Sequence, residues 1–190
     1  MLKIISGQAR GIGLDVIPGK DVRPTPDRVR KALFDSWRNF SGLAVVDLYA
    51  GSGALGLEAA SRGAAAVLLV EQNRRHCEVI RRNWEAVRRN GVTAQVEIRC
   101  VAASRVEAYA AVLPAPDLIF ADPPYAESAT EFARLLGSEA FRRWMGGATL
   151  FWELPSEQYA YQKFLETSVP GTVEYSSYEG MTFLKVRLAN

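Results

Sequence analysis

The chain has 190 residues, 48% of them hydrophobic and 23% charged, with 23 Lys/Arg against 21 Asp/Glu for a formal net charge of +2. That is about one domain's worth of chain, with enough apolar residues for a core, and it excludes a disordered tail, a collagen-like repeat and a disulfide scaffold. Two cysteines, Cys77 and Cys100, sit in apolar-periodic segments and read as buried, reduced thiols of a cytoplasmic protein. His76 is the one histidine, so no metal site is expected. There is no apolar run of roughly 18 residues and no secretory h-region in MLKIISGQARG, so no membrane contact is expected. Residues 1–90 carry 15 Lys/Arg against 9 Asp/Glu, and residues 91–190 carry 8 against 12. The basic half points weakly to a polyanionic partner.

Residues 2–5 and 14–17 flank a Gly/Arg-rich stretch and read as a small β-hairpin or a pair of edge strands. This gives an N-terminal appendage over 1–22, with the main domain over 23–190. Asp27 can cap a helix running to about Asn39, with Val29, Leu33, Phe34 and Trp37 on its apolar face. Regular alternation begins at Leu43. Leu43–Leu48 is a buried parallel strand, Gly51–Gly56 a glycine loop, and Ala54–Arg62 a helix stopped by Gly63. Ala66–Val70 is a second strand, 73–90 a long helix, and Ala94–Cys100 a third strand. A short helix near 104–111 precedes a fourth strand, Asp117–Ala121. A helix over about 128–137, a fifth strand at Ala148–Glu153 and a helix over 156–165 follow. Thr172–Tyr178 and Met181–Leu188 form a hairpin turned at Glu179-Gly180. Such alternation predicts a mostly parallel sheet with helices on both faces and a ligand site at the strand C-terminal ends.

Four segments fall at that edge. Gly51-Ser52-Gly53-Ala54-Leu55-Gly56 matches G-x-G-x-x-G between a strand and a helix, which suits an adenosine cofactor. Asp47 precedes the loop by four residues; a carboxylate there opposes a pyrophosphate and suits the cationic S-adenosylmethionine. Glu71, twenty residues beyond Gly51, can accept hydrogen bonds from ribose hydroxyls in either cofactor class. Asp122-Pro123-Pro124-Tyr125 follows the fourth strand. Its prolines hold a carboxylate and an aromatic ring in fixed relation. The Asp122 carboxylate and Pro123 carbonyl can take hydrogen bonds from an NH₂ conjugated with a base. This aims the nitrogen lone pair at a methyl donor and stabilises the positive charge that develops. Tyr125 can stack on an unstacked base. A rigid turn with a helix cap is the plainer alternative.

Val46-Asp47-Leu48-Tyr49-Ala50-Gly51-Ser52-Gly53-Ala54-Leu55-Gly56 resembles motif I of class I S-adenosylmethionine-dependent methyltransferases, and Asp122-Pro123-Pro124-Tyr125 resembles their amino-methyltransferase motif IV. Arg23-Pro24-Thr25-Pro26-Asp27-Arg28-Val29-Arg30 resembles the signature of the RsmD family, as do Lys3–Gly7 with Arg10-Gly11, and Leu57–Ala64. The likeness runs from residue 2 to near 178. It implies a Rossmann-like seven-stranded sheet in the order 3-2-1-4-5-7-6 with strand 7 antiparallel. It also implies methylation of guanine N2 in bacterial 16S rRNA within the assembled small ribosomal subunit. By the same resemblance Asp47, Ala50, Gly51, Ser52 and Gly53 surround the methionine half of the cofactor. Glu71 falls on the ribose, Gln72 and Asn73 beside the adenine, and Val101 and Ala102 at the turn after strand 3. Family members usually carry an acid where this chain has Ala102, which predicts weaker adenine binding here.

Arg10, Lys20, Arg23, Thr25, Arg28, Arg30 and Lys31 cluster in the appendage and first helix and are expected at the RNA backbone. The arginines over 74–89 repeat at seven-residue spacing and read as a solvated helix face, while the four tryptophans read as core. A monomer is expected. Two other functions fit the same motifs: a DNA adenine-N6 methyltransferase, and a non-catalytic RNA-binding ribosome assembly factor. NAD-dependent hydride transfer is disfavoured by Asp47.

Overall fold

The computed structural model describes residues 2–17, 26–37, 39–154, 171–178 and 181–188. Lys20, Arg23, Thr25, the expected helix over 156–165 and the turn at Glu179-Gly180 lie outside these residues. The apolar runs form strands β1 (Ala44–Leu48), β2 (Ala66–Val70), β3 (Gln95–Arg99), β4 (Leu118–Ala121), β5 (Thr149–Leu154), β6 (Gly171–Tyr178) and β7 (Met181–Leu188). They make one sheet in the order β3-β2-β1-β4-β5-β7-β6. β7 runs antiparallel to β5 and β6, and the pairs among β1 to β5 are parallel. Fold class and strand order are those the sequence leads one to expect.

Both sheet faces are covered, which is why the central strands read as continuous apolar runs. On one face Val45, Val67, Leu69, Leu118, Phe120 and Phe151 pack against α1 (Asp27–Asp35), α2 (Ala54–Ser61) and α3 (Arg74–Arg88). On the other, Val46, Leu68, Ile119, Leu150 and Trp152 meet α4 (Ser128–Gly137) and α5 (Glu139–Met145). The alternation follows from the two-residue side-chain period of a strand. Trp152 is fully buried, while Trp37, Trp84 and Trp144 are half-buried against these cores.

Several expectations change. The helix from Asp27 ends at Asp35, where the Ser36 hydroxyl donates to the Leu33 carbonyl and tightens the last turn. The helix near 104–111 is a short 3₁₀ turn, Val106–Ala108. α5 follows α4 almost directly, where the sequence reading placed no helix. Cys77 is buried, but Cys100 is only half-buried. The N-terminal hairpin forms no extended ladder: Lys3 and Gly13 make one antiparallel bridge, Ile4 N donates to Ile12 O, Gly11 N to Ile4 O and Leu14 N to Leu2 O, and the turn between the arms docks on α2. Buried Glu58 accepts from Ile5 N at 2.7 Å and Ser6 N at 3.0 Å, and Ser61 Oγ accepts from Ala9 N at 2.9 Å. Gly7 makes this docking possible. At φ +84° its Hα lies where a Cβ would sit 1.9 Å from the Ser61 carbonyl oxygen. Leu2, Ile4, Ala9 and Leu14 join the core that α1 and α2 share. α2 is accordingly buried from Leu55 to Ser61, between the sheet and the N-terminal segment. Among the described residues no helix is long and apolar enough to cross a membrane.

Candidate functional site

Strand register sets the site. Leu48 pairs with Val70 and with Ala121; Val70 pairs with Arg99, and Ala121 with Trp152. β1 to β4 therefore finish level, and β5 runs two residues further. The residues that follow β1 to β4, Tyr49, Glu71, Cys100 and Asp122, make a row across one sheet edge with Glu153 of β5. The sequence-predicted Asp47, glycine loop, Glu71, Val101, Ala102 and Asp122–Tyr125 all lie along it.

The glycine loop is shaped from below. Asp47 is 2% exposed and its Oδ2 accepts from Gly56 N at 2.8 Å. It sits behind the loop, whereas the sequence reading has it facing the ligand from the strand tip. Gly56 lets α2 press on the sheet, since a Cβ there would lie 2.9 Å from Leu69 Cδ2 and 3.2 Å from Asp47 Cβ. Tyr49, Gly51 and Gly53 all have positive φ, at 60°, 56° and 81°. For Tyr49 this is a strained backbone of the kind stored near functional sites. Its hydroxyl donates to Glu131 Oε2 at 2.8 Å, and its ring packs edge-on to Trp152.

Glu71 is 7% exposed and ties two chain segments together. Its Oε2 accepts from Gly51 N at 2.9 Å and its Oε1 from Asn73 N at 2.8 Å. A carboxylate has about four acceptor positions, so two remain for hydroxyl donors. Gln72 and Asn73 are exposed beside it, and Val101 and Ala102 are half-buried. Asn73 also caps α3 by accepting from Arg75 N. Burial pushes the Asp47 carboxyl up to about 7; the Gly56 N–H opposes this, and the charges of Asp122 and Glu71 add to it. Three carboxyls thus share one field around the loop, an environment hostile to pyrophosphate and suited to a cation. The donor set fits S-adenosylmethionine on this ground.

Across the row Asp122 is half-buried, Pro123 buried and Pro124 exposed. Tyr125 is 47% exposed, unusual for a ring of its size, and its hydroxyl donates to Glu153 Oε1 at 3.0 Å. Sequence reading gave Glu153 no role beyond ending a strand. Asn83 was also missed. It is buried on α3, accepts from Asp15 N at 2.8 Å, and donates to both Asp15 O and Ser52 O at 2.9 Å.

The expected RNA-facing residues separate. Arg10 and Arg28 line, with Lys3, Lys31 and Asp27, a concavity of about 300 Å³. Arg30 corrects the expectation: it is fully buried, and its Nη2 donates to Lys3 O at 2.6 Å and Asp27 Oδ1 at 2.7 Å, pinning the N-terminal segment to α1. A larger cavity of about 790 Å³ lies where β2 and β3 begin, lined by Gly7, Gln8, Ala60–Ala65, Thr93 and Ala94. It faces the wrong sheet edge for the open α/β rule and gathers no acid–base groups.

The family model described as conserved hypothetical protein 95 matches residues 2–166. Ribosomal RNA small subunit methyltransferase D of Escherichia coli strain K12 is 35% identical over 130 residues, 65% of this chain and 60% of that protein. The chain belongs to the RsmD family of class I methyltransferases. The matched part of the chain spans about three fifths of that RsmD relative's length. A solved hypothetical protein of Thermus thermophilus is 31% identical, with TM-score 0.73 and full coverage of both chains. The rRNA methyltransferase AviRa of Streptomyces viridochromogenes shares the fold of this RsmD-family chain at 19% identity, TM-score 0.66, covering 95% of this chain and 91% of that one.

Proposed function

We propose that this protein transfers a methyl group from S-adenosylmethionine to the exocyclic N2 amine of a guanine in 16S rRNA of the small ribosomal subunit. The observation that carries the reading is the level row of strand ends, which sets the Asp122–Tyr125 segment beside the glycine loop. When bound, S-adenosylmethionine supplies an electrophilic methyl group on a sulfonium. The backbone of Ala50, Gly51, Ser52 and Gly53 would hold its methionine half, Glu71 its ribose, and Gln72, Asn73, Val101 and Ala102 its adenine end.

The protein's own work is on the acceptor. The Asp122 carboxylate and Pro123 carbonyl accept from the amine, hold it towards a tetrahedral shape and stabilise its developing charge. Exposed Tyr125 stacks on the base, so the amine is fixed close to its target in one orientation. Arg10 and Arg28, with Lys3 and Lys31, neutralise RNA phosphates at the basic concavity. The relatives' names supply the rRNA class, and the exocyclic-amine chemistry of Asp122–Tyr125 narrows the acceptor. The test is tritium transfer from labelled S-adenosylmethionine. Small ribosomal subunits are expected to take label and duplex DNA none; label in duplex DNA alone would reverse the reading.

A further inference from the structure

Two carboxyls stand side by side at the site. Ala121 of β4 is the register partner of Trp152 of β5, so the residues that follow, Asp122 and Glu153, are neighbours. Glu153 is 2% exposed. One oxygen, Oε1, accepts from Tyr125 Oη at 3.0 Å. The other, Oε2, is buried and receives no hydrogen bond from any donor among the described residues. Among the described residues, the Asp122 carboxyl also lies in hydrogen-bonding reach of this carboxyl. Two carboxylates cannot bond each other. One must hold a proton, and a proton on Glu153 removes both the unsatisfied oxygen and the like-charge repulsion.

We propose that Glu153 is a positioning residue for the methyl acceptor: its protonated Oε2 donates to Asp122 and leaves that carboxylate ionised and turned to the amine, while its Oε1 anchors the Tyr125 hydroxyl. This rests on the reading of Asp122 and Tyr125 as the acceptor clamp. A protonated Glu153 thus sets both halves of the clamp without touching substrate. Its environment agrees. Burial first, then the Asp122 charge, push the Glu153 carboxyl up to about 8, with the Tyr125 hydrogen bond opposing. Among the described residues Asp122 and Tyr125 are the titratable groups that face it; β7 presents Phe183, and Ser128 of α4 donates to its backbone carbonyl.

Infrared spectra of the full chain are expected to show, beside the Asp47 acid band that is lost near pH 7, a carboxylic-acid C=O band that titrates with a midpoint near 8, and only this second band is absent from Glu153→Gln. Glutamine keeps the shape and donates an N–H at every pH. Glu153→Gln should therefore hold kcat at neutral pH and lose the alkaline decline of the wild type. Glu153→Ala should lower kcat roughly 100-fold with KM for RNA little changed. Cofactor calorimetry checks that this variant is folded. Absence of the second band from the wild type, or an alkaline decline kept in Glu153→Gln, overturns the proposal. A wild type that shows the second band but transfers no methyl group to RNA overturns the function proposed above, and with it the positioning role of Glu153, but not the shared proton.

Discussion

Asn83, in the middle of α3, donates from Nδ2 to the Ser52 carbonyl at 2.9 Å and so fixes the glycine loop from the side. The same amide bonds both backbone groups of Asp15, at the end of the N-terminal segment. One buried side chain therefore joins the glycine loop to the segment that carries Arg10.

Replacing that amide leaves three backbone groups to find other partners. Asn83→Ala is expected to destabilise the fold by about 1–3 kcal/mol, measured by denaturant unfolding. It should also weaken S-adenosylmethionine binding, because Ser52 loses its tether. Unchanged calorimetric affinity would show that the loop holds its shape without α3.

Ala102 lies half-buried in the turn after β3, and in the proposed cofactor site an acid at this position would accept from the adenine amino group. Ala102→Asp is expected to tighten cofactor binding about two- to tenfold, the worth of one hydrogen bond of ordinary strength. Calorimetry reads this directly. An unchanged dissociation constant removes the adenine contact from the account.

Arg10→Ala and Arg28→Ala should weaken binding to small subunits and leave cofactor affinity alone. Each substitution should reduce the dependence of log K on log salt by about one, the signature of a lost phosphate contact. Equal loss of RNA and cofactor binding would assign these arginines to the fold. Arg30 already has that assignment: fully buried against Lys3 and Asp27, its loss should lower stability.

Glu153 and Asp47 give stability a pH dependence of definite sign. Burial raises them from the usual 4.5 and 3.8 to about 8 and about 7. Between the lower and upper values the native state keeps protons that the unfolded chain has released. Stability attributable to these groups is therefore greatest in acid and is lost as pH rises through this window, by up to a few kcal/mol. Glu153→Gln should flatten the decline, as read from unfolding free energies at about pH 5 and about pH 8. An equally steep decline in that variant would place the effect elsewhere.

Local pattern carried the sheet because its central strands are continuous apolar runs with a turn at each end. Val67 and Leu68 belong to opposite cores, and both faces being covered is what makes the run legible. The glycine loop and Asp122–Tyr125 were legible because each is contiguous and its chemistry is short-range. The parts that escaped are long-range. Glu153 meets Tyr125 from 28 residues away, and Asn83 meets Asp15 from 68. Nothing in either neighbourhood of sequence marks the pairing. Arg30 misled because it stands in a basic string, although its partners are a carbonyl and an aspartate. The N-terminal stretch likewise gives no sign that its turn docks on Glu58 and Ser61, more than 50 residues downstream.

Asp122 and Tyr125, beside the glycine loop, form the proposed clamp on the methyl acceptor. Mass mapping of methylated nucleosides in 16S rRNA tests it most directly, in cells with the wild-type protein, with Asp122→Ala and without the gene. One N2-methylguanosine is expected with the wild type and is missing from the other two. The same guanosine fully methylated in all three would contradict it.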